Sequence, residues 1–339
     1  MTLTQLESTD REPTTESLQG RRVAVLGYGS QGRAQALNLR DSGVDVTLGL
    51  RREGASWRQA VDDGWLPLTV EAAVSRADVV AMLVPDMIQP ELFENAIRPR
   101  LQAGSALLFS HGFNIHYGAI TGFEGFDVVM VAPKGPGNLV REQYQQGRGV
   151  PCLVAVHHDA SGRAAATARA YGNAIGGGRA GLLETSFREE TETDLFGEQA
   201  VLCGGATELV TAGWETLVDA GYSPEVAYFE CLHELKLIVD LLYEGGLERM
   251  HRFVSDTASY GDLTRGPRVI DAGTRERMRQ ILGEIQDGTF AREWRDEHAQ
   301  DGERYQALKK ARLAHPIEGV GRKLRARLAW LRQREDAAA

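Results

Sequence analysis

From residue 21 the chain alternates short apolar runs with stretches of helical spacing. RVAVLG (22–27), DVTLGL (45–50), ADVVAMLVP (77–85), SALLFSHG (105–112), DVVMVAPKG (127–135) and VPCLVAVH (150–157) are strand-sized, and several are joined by helical segments such as 33–41. Strands this apolar are covered on both faces, which predicts a parallel sheet between layers of helices. The beat stops after Gly176, Gly177, Gly178 and the LLETSF that follows. Beyond residue 191 the periods are helical, for example over 201–220, 224–243 and 274–285, with no strand alternation. Ser223-Pro224 reads as a helix start and Gly245-Gly246 as a stop. The expected plan is an α/β domain over 19–186 and an all-α domain over 187–332, with a disordered tail at 1–18 and another tail at 333–339.

Composition narrows the classes. The 339 residues suit two domains, and 42% apolar with 25% charged residues is ordinary globular usage. Lys+Arg 38 against Asp+Glu 47 gives 38 − 47 = −9, which disfavours nucleic acid and anionic membrane as partners. No apolar stretch approaches the ~20 residues of a membrane span. The leader has acids and no apolar core, unlike a secretory signal or a transit peptide. Cys152, Cys203 and Cys231 are odd in number and far apart, which fits a reducing compartment and a cytoplasmic protein.

Gly27-Tyr28-Gly29-Ser30-Gln31-Gly32 is a GxGxxG between the first strand and the first helix of a βαβ unit. There its glycines permit a tight turn and bring backbone amides to a pyrophosphate at the helix's positive end, the signature of a Rossmann-like domain. An NAD site normally puts Asp or Glu at the end of the second strand. Here the strand ends Gly49-Leu50-Arg51-Arg52, with Ser56 close by and Glu53 the one nearby acid. Two guanidiniums and a hydroxyl suit a 2′-phosphate, so NADPH is expected; the plainer reading is two solvated arginines.

Two acid pairs stand out in the helical half. Asp194 and Glu198 are four apart in DLFGE, as are Glu230 and Glu234 in ECLHE, so each pair shares a helix face. Their neighbours Leu195, Phe196, Phe229, Leu232 and Leu235 are apolar, and acids in such surroundings call for a cation or a metal. Four oxygen donors suit two Mg²⁺ better than zinc. His233-Glu234 lacks the second His of a zincin, since position 237 is Leu, and Glu230-His233 is a single Glu-x-x-His where di-iron bundles need two.

Across nearly its whole length the chain resembles ketol-acid reductoisomerases, also called acetohydroxy-acid isomeroreductases. The matching stretches are VLGYGSQG (25–32), HGFNIH (111–116), APKGPG (132–137), EETETDLFGEQAVLCGG (189–205), SPEVAYFECLHELKLIVDLLYEGG (223–246), SDTASYGDLTRGPRVI (255–270) and HPIEGVG (315–321). The resemblance implies a helical domain that is knotted, and a two-part reaction in branched-chain amino-acid biosynthesis. A metal-dependent alkyl migration of 2-acetolactate or 2-aceto-2-hydroxybutyrate is followed by reduction with NADPH to the 2,3-dihydroxy acid. It further implies that Asp194 is a bridging metal ligand, Glu198 a ligand of one ion, and Glu230 and Glu234 ligands associated with the second. His111 matches the active-site histidine, Gly137 a cofactor-contacting glycine and Ser255 the substrate-binding serine; Lys134 and Glu234 join His111 as catalytic candidates. On the residues alone His111 could simply cap a strand and Ser255 a helix, and which group takes the hydroxyl proton stays open. Arg33 stands where many members have His, Gly54 where many have Ser, and Asn138 where His is usual. Phe253 and Ser259 are also unusual. Position 54 bears on cofactor preference, and the last two bear on substrate choice. The length fits the short class of the family, which implies a homodimer whose metal site is completed by the second chain. The alternatives are a metal-free NADP-dependent β-hydroxyacid dehydrogenase and a non-catalytic NADPH-binding paralogue.

Overall fold

A computed structural model describes residues 14–328, and the chain divides into two compact units, 1–193 and 194–339. The first begins with a 3-10 turn, Glu16–Leu18, whose Leu18 is buried. The expected tail is therefore ordered at this end, because Leu18 has core to cover; residues 1–13, and the tail expected at 333–339, lie outside the described residues.

Seven strands follow: β1 (Arg22–Leu26), β2 (Asp45–Gly49), β3 (Val79–Met82), β4 (Ala106–Phe109), β5 (Asp127–Pro133), β6 (Cys152–His158) and β7 (Leu182–Glu184). The helices among them are α1 (Ser30–Asp41), α2 (Ala55–Asp62), α3 (Val70–Val74), α4 (Gln89–Leu92), α5 (Phe113–His116), α6 (Gly137–Gln145) and α7 (Ala164–Ala174). After β7 comes α8 (Phe187–Phe196), started by Ser186, whose Oγ accepts from the Glu189 amide at 3.0 Å. The strand order is β2-β1-β3-β4-β5-β6-β7. Both faces are covered: Val23, Val25, Val79, Ala81, Leu108 and Val129 belong to one core, and their neighbours Ala24, Leu26, Val80, Met82, Leu107 and Val128 to another.

The sheet is parallel except at one place. β6 pairs antiparallel with β5, Cys152 opposite Pro133. The intervening α6 packs on α1, where Ala34, Val140 and Val150 form a small core, and does not carry the chain back along the sheet. An apolar run records burial and not direction, so the reversal could not be read from residues 150–157. Strand β7 was also unforeseen. At three residues, with Leu182 buried and Leu183 exposed, it is too short to show a period.

Helix α1 buries two amides completely, Gln35 and Asn38. Asn38 Nδ2 donates to the carbonyls of Val140 (3.3 Å) and Ile175 (3.0 Å), and its Oδ1 accepts from Arg141 (2.8 Å). Gln35 Nε2 donates to Gln31 Oε1 and Ser110 Oγ, both at 3.0 Å, while its Oε1 accepts from the buried Tyr171 hydroxyl at 2.9 Å. Buried polar groups are tolerated when satisfied, and these hold α1 to the segments that carry the site.

In the second unit the described elements are helical, as expected: α9 (Gly204–Asp219), α10 (Pro224–Tyr228), α11 (Glu234–Phe253), α12 (Asp256–Val269), α13 (Ala272–Gln286), α14 (Thr289–Ala299), α15 (Glu303–Leu313) and α16 (Pro316–Arg325). A compact core joins Trp214, Ala227, Tyr228, Ile317 and Leu324. At the expected stop, Gly245-Gly246, α11 kinks sharply, with Gly246 at φ 67°, and helix resumes to Phe253.

Asn38→Ala should cost on the order of 2–3 kcal/mol, because two buried carbonyls lose their donor. Thermal unfolding should show a midpoint several degrees lower.

Candidate active site

The glycine loop leaves β1 at Gly27. That residue has φ 96°, and a Cβ there would lie 2.6 Å from the Leu83 carbonyl, so only glycine fits. A Cβ at Gly29 would instead meet nothing within 4 Å, which leaves an open cradle in front of the amino end of α1. Gly137, at the start of α6, lies so close to Ser30 that a Cβ would be 2.1 Å from its carbonyl, and Gln31 Nε2 donates to the Gly135 carbonyl at 2.9 Å. The strand order switches sides between β1 and β3, with β2 laid on one side of β1 and β3 onward on the other, and ligands of open α/β sheets bind in the crevice at such a point. These residues fit a dinucleotide. Arg51 and Arg52 are exposed in the turn after β2, and Ser56 lies in the first turn of α2. Gly54, the residue before α2, offers no side-chain cap, so the helix's first amides face that turn.

His111 and Lys134 follow adjacent parallel strands, β4 and β5, on the same rim. Between them sits a residue not singled out from the sequence, Glu190 of α8. Its side chain is 1% exposed and accepts from His111 Nδ1 (3.1 Å), the Gly112 amide (3.1 Å) and Lys134 Nζ (3.0 Å). Helix α8 comes this close because position 112 is glycine: a Cβ there would stand 2.3 Å from Thr191 Oγ1. Burial pushes the Glu190 carboxyl up, but the bonds from His111 and Lys134 outweigh it and hold the group below its ordinary value. Since a carboxylate only accepts, Nδ1 of His111 carries a hydrogen. One signal for Glu190 was available: 190, 194 and 198 form an unbroken run of acids at four-residue spacing.

The carboxylates of the second unit are placed in pairs. Asp194 is on α8, Glu198 lies in a π-helical stretch, Gly197–Leu202, and Glu230 lies in a second, Phe229–His233, that ends at Glu234. Single π-helical turns widen a helix locally and recur at functional sites, so their coincidence with these acids fits a hard divalent cation. Glu198, Glu230 and Glu234 are exposed. Among the described residues no three of these four acids gather into one cluster. Ser255 caps α12, its Oγ accepting from the Ala258 amide at 3.2 Å.

A dinucleotide-binding unit with a histidine, a lysine and a buried carboxylate at its strand ends, joined to a helical unit bearing paired acids, defines a nicotinamide-dependent oxidoreductase. Residues 17–181 match the family described as acetohydroxy acid isomeroreductase, NADPH-binding domain, and residues 187–330 match ketol-acid reductoisomerase, C-terminal domain. The chain belongs to the ketol-acid reductoisomerase family. A ketol-acid reductoisomerase (NADP(+)) of Xanthomonas axonopodis pv. citri is 57% identical over 318 residues, covering 94% of this chain and 96% of the relative. One from Xylella fastidiosa is 56% identical, covering 94% and 90%. The structure of an NADH-preferring ketol-acid reductoisomerase from an uncultured archaeon superposes with TM-score 0.91 at 45% identity, covering 94% of this chain and 97% of that one. A semialdehyde dehydrogenase NAD-binding protein from Cupriavidus necator, at TM-score 0.62 and 17% identity, shares the fold alone. Among the described residues no helix is long and apolar enough to cross a membrane.

Replacing Glu190 by Gln should lower kcat on the order of a hundredfold, because His111 loses its fixed tautomer, and should leave the Kd for NADPH unchanged. The pH dependence has a definite sign. The carboxyl is lowered in the folded state, so its stabilisation is complete above the ordinary value of 4.5 and is lost as pH falls through the lowered one. The gap in thermal midpoint between wild type and Glu190→Gln should therefore hold at neutral pH and narrow as pH falls below 4.5.

Proposed function

We propose that this chain converts 2-acetolactate, or 2-aceto-2-hydroxybutyrate, to the 2,3-dihydroxy acid for valine and isoleucine supply, using NADPH and two Mg²⁺. The observation that carries this reading is the His111–Glu190–Lys134 cluster on the rim where the glycine loop opens, in a chain whose two halves both match one enzyme family. Gly27, Tyr28, Gly29, Ser30, Gln31, Gly32 and Gly137 form the cradle for the pyrophosphate, and Arg51, Arg52 and Ser56 take the 2′-phosphate. NADPH supplies the hydride. Asp194, Glu198, Glu230 and Glu234 hold the two ions, which supply Lewis-acid polarisation of the substrate's hydroxyl and carbonyl oxygens. His111 presents a fixed tautomer to the substrate, Lys134 offers a cationic donor where negative charge develops, Glu234 serves proton transfer, and Ser255 binds the substrate.

The chain works as a homodimer in the cytoplasm, each site shared between chains. Phe229, Leu237, Val239, Tyr243 and Leu247, on the segment that carries Glu230 and Glu234, are exposed, Tyr243 by 91%. A row of large apolar side chains beside two acids is what a two-fold interface covers while bringing Glu230 and Glu234 to the partner's Asp194 and Glu198. The three free cysteines fit a reducing compartment.

The direct assay is NADPH oxidation with 2-acetolactate. Turnover should need Mg²⁺ and stop in excess chelator, and Asp194→Asn should abolish it while NADPH binding persists. Turnover in chelator would mean a metal-free dehydrogenase, and cofactor binding without acetolactate consumption a non-catalytic paralogue.

Sharing of the site is tested by mixing Asp194→Ala chains with Glu230→Ala chains, each inactive alone. Random pairing makes half the dimers mixed, each with one intact site, so about a quarter of wild-type activity should return. A mixture that stays inactive rules out the shared site.

A further inference from the structure

The glycine loop and the turn after β2 belong to different elements, and one carboxylate ties them together. Tyr28, inside the loop, is 4% exposed. Its hydroxyl donates to Asp63 Oδ2 and accepts from Trp65 Nε1, both at 2.8 Å. Arg33, in the first turn of α1, grips the same carboxylate at two points, Nε to Oδ2 at 2.7 Å and Nη2 to Oδ1 at 2.9 Å. Farther along α1, Arg40 donates to the Asp63 carbonyl at 3.1 Å, and its guanidinium lies 4.5 Å above the Trp65 ring. Three side chains of the loop and α1 thus converge on the residue that ends α2. Burial and the neighbouring carboxylate push the Tyr28 hydroxyl up, so it remains a donor at neutral pH.

Helix α2 has a light hold on the core, through the buried Ala60 and the partly buried Trp57, and this anchor fixes its far end. Its other end carries Ser56 and follows Arg51 and Arg52, where Glu53 is held at φ 62°, a strained conformation for a residue with a side chain. A short helix fixed at one end transmits that position to the other.

We infer that Asp63 is a positioning residue for cofactor discrimination: bound by Tyr28 and Arg33, it sets α2 so that the turn at 51–56 stands at the right distance from the glycine loop for a 2′-phosphate. This rests on the proposed role of Arg51, Arg52 and Ser56. The pyrophosphate cradle is backbone and does not need Asp63, so the effect falls on NADPH far more than on NADH.

The test is fluorescence titration of the full-length protein with NADPH and with NADH, together with thermal midpoints. Asp63→Ala should raise the Kd for NADPH about tenfold, the worth of one charge-assisted hydrogen bond, and that for NADH less than about threefold. Asp63→Asn, which keeps an acceptor for Tyr28, should fall between. Equal factors for the two cofactors, or no change in either, overturn the inference. Should Asp63→Ala fold poorly, Arg33→Ala, which removes two of the bonds from a half-exposed side chain, is judged by the same ratio. Arg51→Ala/Arg52→Ala tests the underlying role separately. Lost preference there with none lost in the Asp63 variants overturns the positioning alone. The opposite pattern overturns the arginines' role and, with it, the route through the turn at 51–56 on which this inference rests.

Discussion

A carboxylate removed from water must be repaid by charge and hydrogen bonds, and Glu190 is the place where this chain meets that demand most fully. Three donors from two neighbouring strand ends converge on it, so the rim of the sheet and α8 cannot shift independently without stranding a buried charge. His111 gains a defined tautomer, Lys134 gains a counterion, and the bare backbone at Gly112 admits the helix that brings Glu190 in. The chemistry and the fold of the first unit are therefore one requirement. The same group that orders the site also cements it.

Legibility in the sequence followed the nature of each signal. Six apolar runs marked six strands because burial on both faces leaves an unambiguous trace, and the glycine loop could be placed by the strand before it and the helix after it. Direction left no such trace, so the reversal at β6 was invisible, and three-residue β7 carried too little pattern. Glu190 was hidden for another reason. Beside Glu189 in a first helical turn it looks like an acid placed to suit the helix dipole, and only a partner 79 positions away in the chain reveals otherwise. Asp63 was hidden in the same way, since its partners Tyr28 and Arg33 lie 35 and 30 residues upstream.

The two units spend their apolar residues differently. In the first, large side chains are sealed on both sides of the sheet; in the second, Trp214, Tyr228 and Leu324 hold a modest core while long helices display Leu237, Tyr243 and Leu263 to solvent. Its described helices thus leave large apolar side chains in contact with water that the first unit would have buried.

The reversal of β6 also divides the labour of the sheet's two rims. Because β6 runs backwards, its carboxyl end returns to the rim where β5 begins, and there the buried Asp127 takes the amide and hydroxyl of Ser161 at 2.9 and 2.7 Å. On that side a buried acid is fully occupied by its own loop and works as a rivet. On the opposite side, where β4 and β5 end, Glu190 is occupied by groups from two separate segments, His111 with Gly112 and Lys134. The one antiparallel pairing, after which β6 and β7 both run against β1 to β5, thus leaves a buried carboxylate riveting each rim of the sheet.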